Sequence, residues 1–247
     1  MTATARFLTL AALVVATCPA QAVNLPFSGV AATYDQTSPG FFPAARMIDG
    51  VTNDNSGWAI FRNTGAADDT HSESAVFTLA SPLAAGSQTL TFTIFQLYSD
   101  PFHVLGNFSL AYTTAAAPAL ASPQTLLTIL SATSTVAGTV LTSPSTGRID
   151  VTGTLQATDT YTILVTLNSA LPVRGFFLNA IDTNGDAVAG GGPGRQPSNG
   201  NFVVSEFTVA STVPEPSSWA LWLTGFALTG VAARRLRGHS HGHPRAR

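Results

Sequence analysis

The chain has no lysine and a single cysteine, Cys18, and these two shortages close several routes at once. Eleven arginines are its only permanent cations, and six of them fall outside residues 23–213. Within that stretch Arg46, Arg62, Arg148, Arg174 and Arg195 stand against twelve carboxylates, a net charge of minus seven where the whole chain carries minus two. Nucleic-acid binding needs clustered Lys and Arg to neutralise phosphates, and an acidic body without them has no such footprint. With Cys18 near the start, residues 23–213 hold neither a disulfide nor a thiol site, which is compatible with an oxidising exterior. Paired Cys or His ligands at zinc spacing are missing. So is the Gly-x-Ser-x-Gly turn that would expose a nucleophilic serine. The glycine-rich run Gly190–Arg195 lacks the Lys-Ser/Thr of a phosphate loop. No repeat of 20–50 residues recurs, which excludes a solenoid or propeller. These gaps leave catalysis without assigned residues, although His71 lies near Asp68, Asp69 and Glu73, and His103 near Asp100, because neighbourhood along a chain is not geometry.

The two ends of the chain read as labels. Met1–Arg6 is a short basic region, Phe7–Ala16 is apolar, and Ala20-Gln21-Ala22 supplies the small residues that signal peptidase accepts, so residues 1–22 are expected to be a signal peptide cut after Ala22. Cys18 invites a lipoprotein reading, but Thr17 is a poor residue before a lipidated cysteine. At the other end come Pro214-Glu215-Pro216, seventeen residues without a formal charge (Ser217 to Ala233), and then Arg234, Arg235 and Arg237. A helix over 217–233 would reach roughly 26 Å, the short end of a membrane span. The arginines should stay cytoplasmic and the chain before residue 213 outside. Residues 213–237 resemble the PEP-CTERM sorting signal of Gram-negative bacteria, with Pro214, Glu215 and Pro216 matching its motif and the arginine cluster its membrane stop. The resemblance implies recognition by an integral-membrane exosortase, a membrane-anchored intermediate in the inner membrane, and delivery to the cell surface or extracellular matrix. Residues 238–247, with His239, His241 and His243 alternating, read as a disordered His/Arg tail, although such a run can bind a transition metal weakly.

Residues 23–212 are enough for one domain with its own core. Short runs rich in Thr, Val, Ile, Phe and Tyr alternate with Gly, Pro, Ser, Asn and Asp. Nine strands are expected, at 75–79, 90–97, 107–113, 125–130, 138–141, 149–154, 161–167, 175–181 and 201–209. Within 161–167, Tyr161, Ile163, Val165 and Leu167 share one face while Thr162 and Thr166 share the other. The same alternation puts Leu90, Phe92 and Ile94 in the core. One buried and one wet face per strand, with no amphipathic helix, predicts an all-β chain folded as an antiparallel sandwich. Ala115–Pro123 reads as a loop within it and 182–200 as a long surface loop, while Trp58, flanked by apolar residues, reads as core packing.

Four blocks carry a second resemblance, spanning roughly residues 29–210. They are Ile48-Asp49-Gly50 with Gly57-Trp58, His71 ahead of Ala75-Val76-Phe77, the run from His103 to Leu110, and Gly191–Arg195 leading into Asn199–Phe207. Together they look like the discoidin-like, galactose-binding jelly rolls that serve as accessory modules in bacterial surface proteins, which implies a jelly-roll-like β-sandwich. In such modules a Ca²⁺ ion commonly pins the loop after the first core strand to the last strand. By resemblance Asp49 is the loop aspartate and Glu206 the late glutamate, with Asn53 and Asp54 adding oxygens, as a hard cation requires. The plainer alternative has Asp49 capping a turn before Gly50 and Glu206 on an exposed strand face. A polysaccharide partner would need an aromatic face and polar loops at one end of the sandwich. Phe41, Phe42, Arg62, Asn63, Asp68 and Asp69 are the candidates, with Arg62, Asn63 and Asp68 as the ligand-binding set. His71 and His103 sit where such modules also carry a histidine, as structural residues at strand ends. The expected function is a non-catalytic surface or matrix protein that binds polysaccharide. A secreted polysaccharide-active enzyme and a purely structural matrix component are the alternatives.

Overall fold

A computed structural model describes residues 21–52, 55–65, 69–183 and 191–213. The expected signal peptide up to Ala20, Asn53, Asp54, Asp68, the Pro214-Glu215-Pro216 motif, the helix expected over 217–233, Arg234, Arg235, Arg237 and the 238–247 segment lie outside the described residues. The chain divides into two compact units, residues 22–212 and, separately, residues 1–21 with 213–247; of the latter only Gln21 and Val213 are described. No helix of the described residues is long and apolar enough to cross a membrane.

Twelve strands are described: β1 Gln21–Asn24, β2 Phe27–Ala32, β3 Glu73–Leu83, β4 Gly86–Gln96, β5 Asn107–Thr113, β6 Thr125–Leu126, β7 Thr128–Ser134, β8 Thr139–Thr142, β9 Arg148–Gly153, β10 Asp159–Ser169, β11 Val173–Ala180 and β12 Glu206–Val213. They form two sheets, an all-β sandwich. One runs β1-β12-β4-β10-β7 and the other β2-β3-β11-β5-β9-β8, with β6 paired to β5. The long central ladders are antiparallel, β4 against β10 from Gln96↔Asp159 to Gly86↔Ser169, and β11 against β3 and β5. The only helical element among them is a 3-10 turn, Ala44–Ile48, whose first amide donates to Asp35 Oδ1 at 2.8 Å.

Period-two patterning makes the core. Tyr161, Ile163, Val165 and Leu167 are fully buried with Leu90, Phe92 and Ile94 beside them, and Thr162 and Thr166 point the other way. Phe207 of β12 stacks on Phe77 of β3 at 4.3 Å between ring centroids, with Phe27 and Phe92 also against it, and Phe92 meets Phe176 edge-on at 5.1 Å. These rings come from both sheets and fill the space between them.

The outer face of the second sheet is also dry locally. Val76, Ala111 and Phe177 lie side by side across β3, β5 and β11, and Leu120 of the 115–123 loop packs on them. Pro118 sits so close to Gly175 that a Cβ there would come within about 3 Å of its ring. The Ala/Pro-rich segment is therefore a loop within the sandwich, as its composition implies, and it has a face to cover.

Four expectations are corrected. The single strand over 125–130 is two, because Leu127 turns inward to 1 % exposure and its amide donates to Leu110 O at 3.0 Å. β6 then pairs with β5 in one sheet and β7 with β10 in the other. The last strand starts at Glu206 rather than 201, since Asn201–Ser205 forms a loop joined to the body by the bridge Trp58↔Val204. β1 and β2 went unforeseen, and a cut after Ala22 would remove the first two residues of β1. Finally, Gly191–Pro193 is buried rather than on the surface. A run without bulky side chains can slot into the body and satisfy its backbone there: Gly106 and Asn107 amides donate to Pro193 O at 2.7 and 3.0 Å, Gly194 N to Gly200 O, and Arg195 N to Val104 O. A Cβ on Gly194 would lie 2.0 Å from Asn201 O.

Because Phe207 joins rings of both sheets, Phe207→Ala should cost about 3–5 kcal/mol and lower Tm by about 10 °C. Thermal unfolding of the full-length chain checks this, and a loss no larger than that of the exposed control Leu130→Ala would contradict it.

Candidate functional site

Four loops meet at one depression of about 360 Å³, lined by residues of 36–42, Phe61, 98–103 and 196–203. Two buried carboxamides stitch these loops together. Gln36, 4 % exposed, donates from Nε2 to Pro39 O at 2.7 Å and accepts at Oε1 from the Phe61 amide at 3.2 Å and Asn201 Nδ2 at 3.1 Å. Asn201 in turn accepts at Oδ1 from the Ile60 amide at 3.1 Å. The Gln36 main chain pairs as well, its amide with Ala59 O and its carbonyl with the Phe42 amide, and Val203 N donates to His103 O. Removing either carboxamide would strand several buried donors and acceptors, each costing about 1–3 kcal/mol, so the pocket wall is held in one arrangement.

Into this frame project rings and polar groups. Phe42 meets Tyr98 edge-on at 5.4 Å, and Tyr98 meets His103 edge-on at the same separation. His103 is 8 % exposed, follows Phe102 at φ 76°, and is the middle residue of a tight three-residue turn closed by the Val104 N–H donating to Phe102 O at 2.8 Å. A non-glycine residue rarely adopts a positive φ such as that of Phe102, at a cost of about 1–3 kcal/mol. His103 Nδ1 lies 3.2 Å from Asp100 O and 3.7 Å from Asp100 Oδ2. A carbonyl only accepts, so Nδ1 is the donor in this contact, and in the tautomer protonated there alone Nε2 is an acceptor. Burial first, and then the Asp100 carboxylate, push the Tyr98 phenol above its ordinary value, so it remains a hydroxyl.

The other polar groups of the lining use their oxygens internally. Gln196 Oε1 accepts from the Ser198 and Asn199 amides at 2.7 and 2.9 Å, and Asn199 Oδ1 from the Asn201 amide at 3.0 Å. Their amide nitrogens, the Tyr98 hydroxyl and His103 Nε2 have no hydrogen-bond partner among the described residues. The pocket thus offers aromatic walls and unsatisfied donors and acceptors together.

Of the ligand-binding candidates read from the sequence, Arg62 and Asn63 are not part of this lining. Arg62 is ion-paired with the nearly buried Glu73 and lies over the Tyr34 ring at 4.0 Å, while Glu73 also accepts from the Thr33 hydroxyl. Asn63 is exposed at φ 53°, in the left-handed region. Asp68 is outside the described residues. Asp69 closes the same loop: it accepts from the Thr64 hydroxyl and from the Thr64 and Gly65 amides at 2.8 and 3.0 Å. The hydroxyl above all, against opposing burial, and then the two amides and His71 hold its carboxyl below the usual carboxylate range. That hold is present above the unfolded-state value and disappears as pH falls through the lowered one. Phe42 does line the depression, whereas Phe41 is 66 % exposed. Trp58 is core, its Nε1 donating to Tyr34 O at 2.8 Å and its ring edge-on to Phe202. Tyr98, His103, Asn199 and Asn201 were missed as site residues. The local traces were the His103–Leu110 and Asn199–Phe207 blocks of the resemblance, from which no ligand-binding residue was drawn.

Asp49 and Glu206 are brought together. Both line a second depression of about 290 Å³ beside Leu25, Phe27 and Ile48. The Gly50 amide donates to Glu206 Oε2 at 3.2 Å and the Val51 amide to Asp49 Oδ1 at 2.9 Å, with Gly50 at φ 80°. Arg46 Nη1 is 3.4 Å from Asp49 Oδ2. Glu206 is 6 % exposed, so it is not on an open strand face. Two carboxylates at a loop fit a hard cation in kind. Among the described residues no three His, Cys, Asp or Glu gather, and Asn53 and Asp54 lie outside them.

No family model matches the chain, and no curated protein does. Among solved structures, the chain is similar to the family 32 carbohydrate-binding module of Clostridium perfringens NanJ in complex with galactose, at 16% identity and TM-score 0.43, covering 77% of this chain and 99% of that one. It is similar to a second family 32 module of Clostridium perfringens, in complex with GalNAc-β-1,3-galactose, at 16% identity and TM-score 0.43, over 76% of this chain and 99% of that one. A third, the family 32 module of Streptococcus pneumoniae EndoD, aligns at 12% identity and TM-score 0.39, over 76% and 98%.

Proposed function

We propose that the sandwich is a non-catalytic carbohydrate-binding module whose sugar site is the Tyr98/His103 depression. The observation that carries this reading is the pairing of aromatic walls with unspent hydrogen-bonding groups on loops held rigid by Gln36 and Asn201. A sugar ring presents apolar C–H faces and a rim of hydroxyls. Such a ligand rewards rings beside fixed donors and acceptors, and a pre-formed pocket avoids the cost of ordering loops on binding. Tyr98 and His103 would supply a hydroxyl and an acceptor, and Asn199 and Gln196 amide donors. Titration calorimetry of the full-length chain in mild detergent with galactose, GalNAc-β-1,3-galactose and glucose-based oligosaccharides tests it. Binding to one class, weakened at least tenfold in Tyr98→Ala with Tm held within a few degrees, is expected. Turnover of the polymer would instead favour a polysaccharide-active enzyme, and binding to none a structural matrix component.

Export belongs to the same proposal, supported by the order of the terminal segments. Signal peptidase would act near Ala22, and an exosortase would recognise Pro214, Glu215 and Pro216 with the membrane segment and Arg234, Arg235 and Arg237 behind them. The module would reach the cell surface or matrix of a Gram-negative bacterium after a stage anchored in the inner membrane. Replacing Pro214-Glu215-Pro216 by three alanines should hold the protein in the membrane fraction. Unchanged surface delivery in cell fractionation would sink the sorting role.

A structural Ca²⁺ is proposed at Asp49 and Glu206, where it would tie the 49–56 loop to β12, with Asn53 and Asp54 as the further donors. An ion that binds only the folded state must raise its stability. Saturating Ca²⁺ should therefore lift Tm over a chelated sample in the native chain and leave Glu206→Gln unmoved, and an identical Tm with and without Ca²⁺ in the native chain rules the ion out.

A further inference from the structure

Charge around the Tyr98/His103 depression is one-sided. Asp100, whose side chain is 62 % exposed, is the only carboxylate lining it, and no arginine lines it among the described residues. The chain contains no lysine that could stand in. The arginines next to lining residues along the chain are spent elsewhere: Arg195 donates to Thr154 O and Gly153 O at 3.0 and 2.7 Å, and Arg62 is paired with Glu73. Beside the carboxylate, His103 lines the depression with Nδ1 against Asp100 O, and its Nε2 has no hydrogen-bond partner among the described residues. One anionic acceptor thus sits at the wall with no arginine or lysine beside it among the described residues, and the Nε2 of His103 is next to it.

Resting on the carbohydrate reading above, we infer that the site selects an amino sugar bearing a free ammonium group, a de-N-acetylated hexosamine unit of a polysaccharide, and disfavours uronates and other acidic sugars. An ammonium group has three donors and no acceptor, which matches the Asp100 carboxylate and His103 Nε2. The aromatic faces of Tyr98 and Phe42 add attraction for a cation and for the C–H face of the same ring. A carboxylate-bearing sugar would meet Asp100 with no cation to compensate it. The net charge of minus seven on residues 23–213 acts in the same direction at longer range, drawing polycationic chains toward the surface.

The experiment measures binding of the full-length chain to oligomers of glucosamine and galactosamine, their N-acetylated counterparts, and galacturonate oligomers, in low and high salt. The free-amine forms should bind about threefold or more tighter than the N-acetylated ones, the range expected of a partly exposed ion pair. The preference should shrink in high salt and vanish in Asp100→Asn. Galacturonate should not bind. Equal or tighter binding of the N-acetylated forms overturns the charge preference while the sugar site stands. The same holds if the preference survives in Asp100→Asn. Failure of every saccharide overturns both.

Discussion

Everything in the body leans on the contact of Phe207 with Phe77, where rings of the two sheets stack at 4.3 Å with Phe27 and Phe92 around them. A sandwich gains stability only if the inner faces of both sheets lose water together, and large flat rings remove the most area for the fewest ordered bonds. With that layer in place, the strand ends are fixed points. The loops can then be irregular without being loose.

That distinction matters at the pocket. Its walls come from segments as far apart in the chain as Gln36 and Asn201, which no ladder connects. The two carboxamides do what a ladder would, each satisfying main-chain groups of a different loop and each satisfying the other. Glycines complete the fit where backbones touch. Gly57, at φ 156°, lies so near Val204 that a Cβ would stand 2.3 Å from its carbonyl oxygen, and Gly194 packs equally tightly against Asn201. The glycine-rich segment is best understood as the buried back of the site. Its lack of side chains lets main-chain groups reach Val104, Gly106 and Asn107 directly.

The second depression shows the same economy with charge. Asp49 and Glu206 are separated by most of the chain, yet one hydrogen bond from Gly50 already links the loop of one to the strand of the other. Arg46 partly balances Asp49. A cation would strengthen a link that the main chain has begun, and it would leave the loops around the Tyr98/His103 depression to their own network.

Strand content and core faces were legible in the sequence because they depend on local alternation: Leu90, Phe92, Ile94 and the odd positions from Tyr161 to Leu167 point inward as their spacing requires. Trp58 was legible as core, and Asp49 and Glu206 were paired through a resemblance that the fold brings into one depression. The division of 125–130 at Leu127 was not, since it depends on which sheet each half joins. Neither was the pocket: Arg62 and Asn63 look as polar along the chain as Tyr98 and His103. Period-two hydrophobicity is a property of neighbours, so the sequence alone determined that strands would pack face to face around an aromatic core. Which loops meet at the pocket depends on the Gln36–Asn201 and Asn201–Ile60 contacts, each between residues more than a hundred positions apart, and only the tertiary structure decided it.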